Sequence, residues 1–182
     1  TTPLDVRLLS VSVNNEPVCW YHLDHEAIDS TTIAQQEVSV FGKALAQQER
    51  NAKRKELQGV RFVRIEPHFA IPEGLELDYR NNRVSFEFVG IETARPEVVE
   101  YQFMLEGYDV HWSAPSKGRT ATYGNIREGD YTFKVKAKSA CGAWSAPLEY
   151  RFTVLPPWHR TWWAFVGYVL LIAGAITVVI RR

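Results

Sequence analysis

Three observations predict an all-β sandwich flanked by helical segments. Between about Leu75 and Val154, apolar and polar residues alternate with a period of two in four separate runs, the mark of strands that bury one face. Turn residues divide these runs: Asn81-Asn82, Gly107 with Asp109, Gly129-Asp130 and Gly142. From Thr161 to Ile180 no charge interrupts an apolar run, which suits a membrane-spanning helix better than a strand. Together they give an immunoglobulin- or fibronectin III-like sandwich with an N-terminal helical insertion and a C-terminal transmembrane helix.

In chain order, Val6, Leu8, Val11 and Val13 followed by Asn14-Asn15 suggest a strand and a turn. This strand joins the edge of the sandwich or leads to a preceding domain. From about Thr32 to Gln58 the pattern becomes helical, with Asp29 and Ser30 as N-caps and Phe41 and Leu45 facing inward. The stretch QQERNAKRKELQ is almost wholly polar, and Lys43, Arg50, Lys53, Arg54 and Lys55 outnumber Glu49 and Glu56. A solvated helix is the ordinary reading of such a run, and contact with anionic lipid is the sharper one. LELDY (75–79) and RTATY (119–123) read as short strands. The four clear strands alternate around Val84-Phe86-Phe88, Tyr101-Phe103-Leu105, Tyr131-Phe133-Val135-Ala137 and Leu148-Tyr150-Phe152-Val154, as antiparallel sheets with one wet face do. In IREGDY (126–131) an apolar residue and a glycine precede the tyrosine that opens a strand. That pattern suits a tyrosine corner, in which the phenol hydroxyl bonds to backbone a few residues upstream. The expected organisation is 1–74 N-terminal strand and insertion, 75–155 sandwich, 156–160 Pro-Pro connector and 161–180 transmembrane helix.

Twenty residues at about 1.5 Å each match the roughly 30 Å of bilayer hydrocarbon. Trp158, Trp162 and Trp163 cluster at the near edge of the run, where an aromatic belt belongs, and Arg181 and Arg182 follow the far edge. The expected orientation puts residues before about 158 outside the membrane and the C-terminus in the cytoplasm. Pro156 and Pro157 leave little slack between the last strand and the membrane. The chain opens at Thr1 and its only methionine is Met104, so we expect a piece of a longer protein with sequence on both sides.

Composition excludes several functions. The 21 basic and 21 acidic residues balance, so the fragment has no electrostatic footprint for nucleic acid. Cys19 and Cys141 stand far apart without a CxxC pair, which argues against a thiolate zinc site and leaves a disulfide as the minor alternative to two free thiols. His22, Asp24, His25, Glu26 and Asp29 form the one cluster of metal-type ligands, read as a polar loop rather than a metal site. Glu87, Glu106 and Asp109 lie at strand ends, where a solvated role is the default. We expect no catalytic, cofactor-binding or metal residues in this fragment.

The longer motifs resemble a known family. YQFMLEGYDVHW (101–112), RTATYGNIREGDYTFKVKA (119–137), GAWS (142–145) and FTVLPPWHRTWW (152–163) are similar to the triple-tyrosine (Y_Y_Y) domain of bacterial propeller-type membrane sensors of the two-component histidine kinase family. The resemblance runs from about Leu75 to Trp163, and only a subset of the family shares FGKALAQQER and the stretch to Asp78. It makes Tyr101, Tyr123 and Tyr131 the signature tyrosines, with Gly107, Tyr108, Trp112, Gly129 and Trp144 in the same motifs. Phe103 stands where a tyrosine is common, and Ile126-Arg127-Glu128 replaces a usual Leu-Pro-Pro. The resemblance implies a signal-relay module in the bacterial inner membrane, with an upstream β-propeller domain, a downstream cytoplasmic kinase module and a homodimeric full receptor. Pro156, Pro157, Trp158, Trp162 and Trp163 would form the relay connector. The alternative is a membrane-anchored glycan- or protein-binding module that does not signal.

Overall fold

A computed structural model describes residues 4–23, 29–92, 96–139, 142–157 and 162–181. The chain is mostly β-sheet, and two sheets face each other across one core. The first sheet has the order β1-β5-β7, formed by Asp5–Val13, Val84–Ile91 and Thr120–Tyr123. The second has the order β4-β9-β8-β6, formed by Leu75–Leu77, Leu148–Val154, Gly129–Lys138 and Glu100–Glu106. Alternation sets the register. In β5 the burial pattern repeats strictly, with Val84, Phe86 and Phe88 inside and Glu87 outside, and a slip of one residue would turn all of them outward. Phe86 of the first sheet stacks on Phe133 of the second at 4.1 Å between ring centroids, and both are fully buried. Burying such a side chain contributes about 1.5–3 kcal/mol, so this pair sits at the energetic centre of the sandwich.

One strand of the sandwich differs from the sequence expectation, and another takes its expected place at the edge. LELDY forms a strand only over Leu75–Leu77, and it pairs parallel to β9 rather than antiparallel. The pairing continues past the strand, where Leu155 N donates to Leu77 O at 2.8 Å. β1 forms the edge of the first sheet, with a bulge between Leu8 and Ser10. Asn14 and Asn15 turn the chain out of it with φ of 54° and 63°, a conformation asparagine tolerates better than most residues.

The predicted single helix over 32–58 is two helices, α1 (Ser30–Phe41) and α2 (Gln47–Glu56). Gly42 ends α1 in the left-handed region at φ 74°, a conformation that costs most other residues about 1–2 kcal/mol. Asp29 occupies the N-cap position of α1 without a side-chain capping bond, whereas Glu49 accepts the Ala46 N–H at 3.0 Å and so caps α2. A short ribbon follows, β2 (Arg64–Glu66) with β3 (Ile71–Glu73). Sequence reading missed this ribbon because each strand has only three residues.

The last element, α3, runs over Trp162–Ile180. Its described apolar side chains are exposed, Val169, Leu170, Leu171 and Ile172 each by more than half. Side chains at 162–165, 168, 175 and 178–180 lie outside the described residues. Over the described residues alone, no helix is long and apolar enough to cross a membrane.

Candidate functional site: the tyrosine frame and the connector

The three signature tyrosines occupy distinct structural positions. Tyr101, on β6, is buried, and its hydroxyl accepts the Gly90 N–H of β5 at 3.0 Å. This bond crosses from the second sheet to the first, at the end where β1 begins. Tyr123, on β7, donates to Asp109 at 2.8 Å, and the same carboxylate oxygen accepts the Leu105 N–H of β6 at 2.8 Å. This second crossing lies at the opposite end, where Val84 pairs with Tyr123 and Val154 ends β9. Tyr131 opens the buried run of β8, and its hydroxyl donates to Arg127 O at 3.1 Å. That backward bond across four residues is the contact a tyrosine corner makes.

Other motif residues support this frame. Gly107 has φ 94°, and a Cβ there would lie 3.1 Å from Tyr131 Cδ1 and 3.3 Å from Asp130 O. Both the backbone conformation and the close approach of the ring therefore require glycine. Tyr108 is half-exposed, donates to Gly124 O at 3.3 Å and packs edge-on to Tyr123 at 5.6 Å. Gly129 begins β8 opposite Val154. Trp112 and Trp144 lie apart from this cluster. They flank Lys136, whose ammonium is 4.2 Å from the Trp112 centroid and 5.1 Å from that of Trp144, while Lys138 stands 5.0 Å from Trp144. The rings clamp the loops on either side of β8 to its outer face by cation–π attraction. Ser145, next to Trp144, fixes one of these loops: its N–H donates to Ala137 O at 2.8 Å and its Oγ accepts the Ala137 N–H at 3.1 Å.

Burial, then Asp109, pushes the Tyr123 phenol above its ordinary range, and burial also raises Tyr131. Both hydroxyls therefore stay neutral, each donating to a fixed acceptor. Asp109 corrects the sequence expectation, because its carboxylate takes two internal hydrogen bonds instead of facing water. The signal was its place two residues after a turn glycine, where a turn side chain can reach back to its own strand.

The connector begins with an exposed Pro156 and a buried Pro157. Trp158 lies outside the described residues. Trp162 and Trp163 open α3, with side chains outside the described residues.

A second polar cluster, in the insertion, was not foreseen. Glu37 is fully buried and accepts Arg50 through both oxygens at 2.5 and 2.9 Å, the Leu45 N–H at 2.9 Å, and a 2.6 Å contact with His22 Nε2. Hydrogen bonding from Arg50 outweighs burial and holds the Glu37 carboxyl down to about 2. Arg54 donates to His22 O at 2.9 Å. Two cations of the supposedly solvated run thus bind the insertion together. Asp24, His25 and Glu26 lie outside the described residues, so of the cluster read as a polar loop only His22 and Asp29 can be located, and His22 is held by Glu37. Buried Cys19 is pushed up to about 11, chiefly by burial and then by Glu37, and stays a protonated thiol. Cys141 lies outside the described residues.

Comparison with known proteins agrees with the motifs. Residues 93–155 match the Y_Y_Y domain family. The chain is 32% identical over 113 residues to Histidine kinase P4 of Formosa agariphila, a match covering 61% of this chain and 8% of that protein. Two solved structures of the extracellular domain of BT4673 from B. thetaiotaomicron share the fold. One, assigned to a one-component system, superposes with a TM-score of 0.51 at 19% identity. The other, assigned to a hybrid two-component system, gives 0.50 at 20% identity. Each match covers 87% of this chain and 16% of the solved one. The chain therefore contains a Y_Y_Y domain, the triple-tyrosine domain that its tyrosine and glycine motifs resemble.

Proposed function

We propose that this chain is the membrane-proximal, extracytoplasmic relay module of a bacterial two-component sensor. It would couple an upstream ligand-sensing domain to a cytoplasmic histidine kinase through α3, in the inner membrane and in a homodimeric receptor. The observation that carries this reading is the exit of β9. The strand is hydrogen-bonded on both sides, to β4 and β8, its pairing extends to Leu155, and the chain then passes through two prolines toward an apolar helix whose described side chains face outward. Similarity to a histidine kinase supports the same reading. Prolines favour a stiff extended connector, whereas a Gly/Ser chain behaves as a coil and absorbs movement.

The test is to replace Pro156-Pro157 in the complete receptor with a Gly-Ser linker of about ten residues, long enough to be slack. Ligand-dependent output should be lost, while surface level, ligand binding and the domain's thermal melt stay unchanged. Normal output from the slack receptor would reject relay through this joint and favour the anchored binding module.

A further inference from the structure

The segment that leaves α2 meets the β4–β5 turn and the start of the connector at the exit end of the sandwich. Between them lies a cleft of about 500 Å³ whose walls include Gly59, Arg61, Tyr79, Arg80, Leu155 and Pro156. That volume is in the range of ligand sites, about 300–1,000 Å³. Its walls are fixed by backbone pairing. Arg61 and Glu76 exchange both main-chain hydrogen bonds, at 2.9 and 2.8 Å, and Leu155 is tied to Leu77. Arg80 Nε donates to the Tyr79 hydroxyl at 3.1 Å, and its guanidinium stands 5.5 Å from the centroid of that ring.

The two arginines differ from those cations of this protein that hold a carboxylate. Arg7, Lys43, Arg50, Lys53, Arg64, Lys134, Lys138 and Arg151 each hold a carboxylate. Arg61 and Arg80 form no such ion pair among the described residues. The carboxylate that lines the cleft, Asp78, accepts the backbone N–H of Arg80 at 3.2 Å, so the two guanidiniums leave the cleft with an excess of positive charge. Charges elsewhere at this end are mixed, with Arg83 and Arg127 against Asp109, Glu128 and Asp130. Attraction there is local to the cleft and not a diffuse field.

We propose that this cleft holds the phosphate of an anionic phospholipid headgroup and so seats the sandwich on the membrane beside its own connector. The proposal rests on the reading of α3 as a membrane helix. Guanidinium groups match phosphate oxygens in pairs and desolvate readily. Position selects a lipid over a soluble anion. Pro156 lines the cleft, and the connector from there to Trp162 spans at most about 20 Å, so the cleft stays within reach of the headgroups at the outer end of α3.

The full chain is reconstituted into lipid discs of phosphatidylcholine alone, and into discs that also contain phosphatidylglycerol. Hydrogen exchange is then followed at the amides of 59–61 and 78–80. In anionic discs these amides should exchange about tenfold more slowly, the factor expected for a site whose ligand is at roughly ten times its dissociation constant. The Arg61→Gln/Arg80→Gln variant should lose the difference while Phe133 and Val135 keep their protection, which shows that the fold is intact. Equal exchange in the two kinds of disc, with the chain inserted in both, overturns the proposal. So does equal protection by inorganic phosphate in phosphatidylcholine discs, which would make this a soluble-anion site. A chain that enters neither disc overturns the membrane reading itself, and the proposal with it.

Discussion

Tyr131 contributes to the core through its ring and to the corner through one oxygen, and substitution separates the two. Its ring stacks on Phe152 at 5.6 Å, and its hydroxyl reaches Arg127 O. Tyr131→Phe keeps the ring and should cost about 0.5–1.5 kcal/mol, the net worth of one internal hydrogen bond. Tyr131→Ala removes the ring and should cost about 3–5 kcal/mol. Denaturant melts of the two variants measure both. Equal losses would place the energy in the corner bond alone and leave the ring without a role. The corner was legible from IREGDY because its geometry is local, within four residues. The partner of Asp109 was not, because Tyr123 lies in a different strand and no spacing rule connects them.

At the scale of elements, the insertion depends on one buried carboxylate. Glu37 falls from the ordinary 4.5 to about 2 in the folded chain. A depressed folded value means that the unfolded chain binds the proton more tightly. The stabilisation is complete above pH 4.5 and disappears as pH falls toward 2. Over that window the group should contribute on the order of 3 kcal/mol. Urea melts of Glu37→Gln should therefore show a shallower loss of stability between pH 5 and pH 3 than the parent, and parallel curves would remove Glu37 from the account. The insertion was the least legible part of the chain. Strands announce themselves through period-two alternation, and those of the sandwich appear where the alternation is. In α1 and α2 the informative side chains are polar, so Glu37 and Arg50 look like two more surface charges until the break at Gly42 folds one helix toward the other. The parallel pairing of β4 was equally hidden, because a three-residue strand carries no sign of its direction.

For the whole molecule, the two sheets are joined by aromatic packing and by two hydrogen-bonded tyrosines, Tyr101 at one end and Tyr123 at the other. Tyr101→Phe leaves the Gly90 N–H without its acceptor, a penalty of about 1–3 kcal/mol for a buried donor. The Gly90 amide should then exchange faster in Tyr101→Phe than in Tyr123→Phe, and the double variant should lose the sum of the two single losses. A Gly90 amide equally protected in all three would mean that the Tyr101 bond holds nothing. These crossings have a mechanical consequence. Two plates stacked only through ring faces could slide over each other, as cards do in a deck. Plates bolted at both ends cannot. A push delivered to β1, the edge strand of one plate, must carry β9, an inner strand of the other, along with it. In the proposed relay the sandwich would then behave as a shaft coupling rather than a spring, with any give in the joints on either side of it.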